Sequence, residues 1–197
     1  MPRLKPNDSF CSVAKAIDLL GDRWMLLLIR EVVFGTRRFD DFAQHLGIAR
    51  NVLADRLARL VAAGVLVQQP LQSDGRRLGY RFSPMGEDLL PVLIGFMQWG
   101  DRWLQTPDTV PVQVIDRATG KPVPRIRVRN DAGQPLGLRE LDWTPGPGAG
   151  HPRVAKLVAA YEAQRVTAPR PVPASPAASD RAKKPATSRR KTPEPTP

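Results

Sequence analysis

The sequence predicts an α+β fold, and three observations carry that prediction. Apolar residues recur at helical spacing in four short segments divided by glycines, a β-branched pair of segments flanks Ser73-Asp74-Gly75, and a long apolar segment follows at once. A chain of 197 residues has room for one ordinary domain and a smaller appendage. The expected divisions are an N-terminal arm (1–9), a helix-and-hairpin domain (10–105), a small β-rich extension (106–165) and a tail (166–197).

From Phe10 to Leu20 the residues Val13, Ala14, Ile17 and Leu20 form one stripe, and Gly21 stands where such a helix ends. Asp22 to Val33 is apolar around most of its circumference, through Trp24, Met25, Leu26, Leu27, Leu28 and Ile29, which predicts a central core helix. Gly35 closes it. Asp40 is placed to cap a third helix, Asp41 to Leu46; Gly47 makes the turn, and a fourth helix runs from Ala49 to Ala63, stopped by Gly64. Val65 to Leu71 and Leu78 to Ser83 read as strands of a hairpin. One continuous helix is expected from Pro84 to Leu104, presenting Leu89, Leu93, Phe96, Trp99 and Trp103 among other apolar residues.

Beyond Thr106, Val110 to Asp116 and Arg125 to Asn130 read as strands of a small ribbon, with turns at 118–122 and 131–133 and a short helix from His151 to Arg165. From Val166 on, Pro, Ala, Ser, Lys and Arg dominate, so little apolar burial offsets the entropy of ordering and disorder is expected. Helix, glycine turn, helix and hairpin follow one another from Phe39 to Phe82 without insertion. That order builds a winged helix-turn-helix. The full expectation is a winged helix-turn-helix domain with a small C-terminal β-ribbon and a disordered basic tail.

A helix in this position buries one side and offers the other to the major groove of double-stranded DNA. At 100° per residue, Leu53, Leu57, Leu60 and Val61 gather toward the core, whereas Asn51, Ala54, Asp55, Ala58 and Arg59 gather opposite. Asn51 suits adenine, Arg50 suits guanine or phosphate, Val52 suits a thymine methyl, and Asp55 either accepts from cytosine or holds an arginine. Small Ala54 lets the backbone approach the groove floor. Arg56 lies between the faces, open to a phosphate contact or an internal ion pair. Arg76 and Arg77 at the hairpin tip suit a narrow minor groove, and Arg37 and Arg38 ahead of the third helix suit the backbone.

The net charge of +11 and pI near 10.8 favour a polyanionic partner. Seven Lys/Arg against two Asp/Glu in residues 166–197 make the tail the densest share, supplying sequence-independent affinity. A sequence-tolerant architectural DNA binder is therefore the alternative to a regulator. No phosphate-binding glycine loop, HExxH pattern or nucleophile elbow occurs, so an enzyme is not expected, nor is a cofactor. No apolar run spans a bilayer, and Met-Pro-Arg-Leu-Lys-Pro lacks a signal-peptide core, so no membrane partner and a cytoplasmic location are expected.

Cys11-Ser12-Val13-Ala14 with Ile17 to Trp24, then Gly35-Thr36-Arg37-Arg38-Phe39, then Asn51-Val52-Leu53-Ala54-Asp55-Arg56-Leu57, resemble the HxlR-type winged-helix regulators. Gly64-Val65-Leu66, Tyr80 and Ser83-Pro84-Met85-Gly86-Glu87 extend the likeness over Cys11 to Leu104. The resemblance implies a homodimer joined through the first helix and the 84–104 helix, bound to an inverted-repeat operator and usually repressing a neighbouring gene. It also places Cys11 where some members carry a cysteine that senses oxidants or electrophiles; Lys15, one turn on, favours a thiolate there. In relatives the ribbon can carry zinc-type cysteine pairs, whereas this chain has Thr119, Arg129 and Ala132 at those places, so no metal is expected. Operator, target gene and small-molecule effector are not legible in these residues.

Overall fold

The computed structural model describes residues 11–71 and 74–167. The expectations for the arm, for Ser73 at the hairpin tip and for the tail beyond Thr167 lie outside the described residues.

Six helices and one hairpin build the domain: α1 (Ser12–Leu20), α2 (Arg23–Val33), α3 (Phe39–Leu46), α4 (Arg50–Ala62), β1 (Leu66–Leu71), β2 (Asp74–Phe82), α5 (Pro84–Glu87) and α6 (Leu90–Trp103). The core sits on α2, whose Met25, Leu28, Ile29 and Val32 are almost wholly buried against Phe42 of α3, Leu53, Leu57 and Leu60 of α4, and Val65 and Leu66 entering the hairpin. Asp22 caps α2, accepting the Trp24 amide at 2.9 Å. Gly47 adopts φ 59°, a left-handed conformation that glycine reaches without steric cost, and this sets the tight turn between α3 and α4. A winged helix-turn-helix is thereby formed.

The hairpin is a two-stranded antiparallel sheet with Leu66 opposite Phe82 and Gln68 opposite Tyr80. Its register slips between Pro70 and Leu71, where proline supplies no ladder donor. The wing is tied back to the body. The Tyr80 amide donates to the Arg37 carbonyl at 2.9 Å, and the Tyr80 ring meets Phe42 edge-on at 6.0 Å. Gly86 of α5 lies so close to the residue preceding β1 that a Cβ there would come within 2.2 Å of the Val65 carbonyl oxygen, which makes glycine obligatory at that contact.

Four expectations are corrected. The second strand begins at Asp74 rather than Leu78, and Leu71 pairs with Asp74, so Arg76 and Arg77 lie within β2 rather than at the hairpin turn. The third helix begins at Phe39 rather than Asp41, with Arg38 at the cap position, so Asp40 and Asp41 occupy the first turn, where the helix dipole favours acids. The expected 84–104 helix is broken at Asp88 and Leu89. Pro91 has no amide to donate to the preceding turn, so it starts α6 instead of continuing α5. Finally, 110–116 and 125–130 do not form continuous strands. Each segment closes its own turn through an isolated bridge, Ile115 with Pro122 and Arg129 with Pro135, because Pro122, Pro124 and Pro135 cannot extend a ladder. A last helix, α7 (Pro152–Thr167), ends the described chain.

Candidate nucleic-acid interface

The fourth helix divides as its periodicity dictates except at Arg59, expected on the exposed face but half-buried. Leu53, Leu57 and Leu60 are buried, Val61 is half-buried, and Asn51, Ala54, Asp55 and Ala58 are exposed. Ala54 and Ala58 form one wall of a shallow cleft of about 320 Å³, and Phe39, Gln68 and Tyr80 form the other. The wing strands thus stand beside the exposed face of α4. Gln68 belongs to this surface although the sequence alone did not single it out.

The arginines separate into two groups. Arg56 is internal: its guanidinium donates to Asp22 at 2.9 Å and also contacts Asp55. The Arg56 hydrogen bond holds the Asp22 carboxyl below its ordinary value against the opposing effect of burial, and the same bond raises Arg56. One carboxylate therefore caps α2 and anchors α4. Arg59 turns to the Asp18 carbonyl of α1 at 3.2 Å, and Arg37 donates to the carbonyls of Val32 at 2.6 Å and Thr36 at 2.9 Å. Burial depresses Arg37 below the usual guanidinium value, with Arg81 adding repulsion.

Arg38 and Arg50 form the outward group. Arg38 is exposed, and Arg50, 70% exposed, bridges to Asp40 at 2.6 Å while lying over the Phe39 ring at 5.2 Å. A pair this exposed is easily exchanged for a phosphate partner. Asn51 makes no side-chain hydrogen bond to a described residue and points its amide outward from the first turn of α4. Val52 is half-buried beside the core, and Arg77 is exposed on β2. The Arg76 side chain lies outside the described set.

A buried carboxylate went unread in the sequence. Glu31, on the core side of α2, receives Arg30 at 2.7 Å, Thr36 Oγ1 at 3.0 Å and His45 Nδ1 at 3.0 Å. Burial raises its pKa, but the bonds from Arg30, His45 and Thr36 outweigh burial and leave it below its ordinary value. The signal was present: a glutamate three residues after Leu28 inside an apolar helix needs partners to be buried. Its partners tie α2 to α3.

On the far side, α1, α2 and α6 enclose an open cavity of about 770 Å³ lined by Val13, Ile17, Leu20, Leu26, Leu27, Val92, Phe96 and Met97, with Arg23, Arg30 and Asp22 at its border. Cys11 is exposed at the cap position of α1. No group of three or more His, Cys, Asp or Glu side chains gathers as a metal site among the described residues, and no described helix is long and apolar enough to cross a membrane.

The HxlR-like helix-turn-helix family model matches residues 19–108. An uncharacterized HTH-type transcriptional regulator of Mycobacterium tuberculosis, Rv3095, is 37% identical over 137 residues, covering 70% of this chain and 87% of that protein. YodB, an HTH-type transcriptional regulator of Bacillus subtilis, is 29% identical over 96 residues, 48% of this chain and 86% of its own. Among solved structures, PA1607, assigned as a candidate transcription factor, superposes with a TM-score of 0.66 at 37% identity, covering 71% of this chain and 97% of that one. PA1374 of Pseudomonas aeruginosa gives 0.51 at 33% identity, covering 74% and 99%. These relatives are transcription regulators, a class that is not enzymatic. With its helix-turn-helix and wing in place and these relatives beside it, the chain belongs to the HxlR-like helix-turn-helix family of DNA-binding transcriptional regulators.

Proposed function

We propose that the protein is a cytoplasmic, dimeric repressor that binds double-stranded DNA at an inverted-repeat operator and reads each half-site with the first half of α4. The observation that carries this reading is the outward row of Asn51, Ala54 and Ala58, flanked by Arg38 and Arg50 and bordered by the wing. A side-chain amide with no internal partner, between residues too small to obstruct the groove floor, suits paired hydrogen bonds to adenine. Val52 and Asp55 flank that row, and Arg76 and Arg77 extend contact from the wing. Arg37, Arg56 and Arg59, engaged inside the protein, position the reading helix and its surroundings rather than touching bases.

Dimerisation is supported by the open apolar cavity between α1, α2 and α6 and by Phe96, Trp99 and Trp103, all more than half exposed on α6. Repression is the usual sign of regulation in the family. Cys11, exposed at the start of α1, is accessible to oxidants or electrophiles. Diamide or quinone treatment of the protein and of its Cys11→Ser variant tests that route; operator affinity unchanged in both removes it.

A footprint on DNA selected from random sequence tests the whole proposal. A regulator protects two half-sites about one helical repeat apart, or a multiple of it. Broad coating without a boundary would instead identify an architectural binder, with the basic tail supplying most of the affinity.

A further inference from the structure

The extension from Thr106 to Gly150 holds defined turns without a core. None of its side chains is buried, and Val112, Ile115, Ile126, Val128, Leu138 and Trp143 are 41% to 80% exposed. Its position is nonetheless fixed on α6: Gln98 accepts the Ile126 amide at 2.8 Å and donates to the Pro124 carbonyl at 3.2 Å. Turn hydrogen bonds alone do not offset the entropy of ordering such a segment, so its apolar side needs a cover.

The relatives limit what that cover can be. A 137-residue match to Rv3095 cannot fit within the 105 residues that precede the extension, so that protein shares it. PA1607 is matched over 97% of its length by 71% of this chain, which leaves no further domain there to lie on the extension. The cover is then a separate molecule, and the surfaces favour a second copy of the chain. The surfaces are also continuous: Met97 lines both the apolar cavity between α1, α2 and α6 and the cleft where Val110, Val112 and Val123 meet α6. In a two-fold dimer the same patch meets itself, so whatever flanks α6 on one protomer is presented to its partner.

We infer that the extension is the outer half of the dimer interface, with Ile126, Val128 and Trp143 packing on the second copy beside the α6 ridge of Phe96 and Trp99. This rests on the dimeric reading above. The extension then gives this branch of the family a wider interface than chains of the YodB length, whose matched region accounts for under half of this chain.

The test is sedimentation equilibrium of the full chain carrying Ile126→Asp and Val128→Asp, beside wild type and a Lys121→Ala control. Wild type and control are expected as dimers, with the dissociation constant of the double variant raised at least tenfold. A wild-type monomer overturns the dimeric reading and this inference with it. A wild-type dimer whose constant the double variant leaves unchanged overturns this inference alone. Because the double variant could fail to fold, a second measurement uses Val128→Cys in a Cys11→Ser chain, labelled with an environment-sensitive fluorophore. Emission should shift to the blue as concentration carries the protein from monomer to dimer, and emission independent of concentration across that range overturns the inference.

Discussion

Asn51 and Arg56 lie five positions apart on one helix in different surroundings: Arg56 is held by Asp22 and Asp55, whereas Asn51 makes no side-chain hydrogen bond to a described residue. Asn51→Ala should weaken operator binding by about 1–3 kcal/mol while scarcely changing affinity for random DNA. Competition binding measures both, and equal losses on the two DNAs would count against base reading. Arg38→Ala should lower the magnitude of the slope of log affinity against log salt by about 1, as expected for one lost phosphate contact. Arg56→Met should leave that slope unchanged and instead reduce stability by about 1.5–3 kcal/mol, because it strands the Asp22 carboxylate at the α2–α4 contact. A fall in slope for Arg56→Met would return it to the DNA surface.

Among the elements, α2 and α3 are joined by a charge that the chain must keep ionised. The folded Glu31 pKa lies below the ordinary 4.5. Its stabilising contribution is therefore complete above the ordinary value and is lost as pH falls through the depressed one. Thermal melts carried from neutral pH into the acid range should show wild type losing stability on that descent, with Glu31→Gln less stable at neutral pH and flatter in acid. The helices and the wing were legible because their signals are local: a period of 3.6, glycines at the stops, a turn between β-branched runs. The face of α4 was legible for the same reason, since burial of Leu53, Leu57 and Leu60 fixes what faces out. Less legible was anything decided by one missing amide, such as the break ahead of Pro91 or the bridges that stay single beside Pro122 and Pro135. Least legible were the partners of Arg56, Arg59 and Arg37. Helical phase says where a side chain points, but which carbonyl or carboxylate meets it depends on how α1, α2 and α4 pack.

At the scale of the molecule, the proposed function divides DNA affinity between a surface that reads and a tail that attracts. Removal of residues 168–197, which carry seven Lys/Arg and two Asp/Glu, should weaken operator and random DNA alike and lower the magnitude of the salt slope by roughly 2–4. Loss confined to the operator would show that the tail takes part in reading. The interface side has its own link to the reading side. Asp22 borders the apolar cavity, caps α2 and holds Arg56 of α4, so in the proposed dimer each reading helix is braced against the subunit contact through one short connection. Such a dimer behaves as a calliper with its jaws locked. It should accept one separation between half-sites and reject operators lengthened or shortened by about one base pair, whereas loosening the brace would widen the range of separations it tolerates.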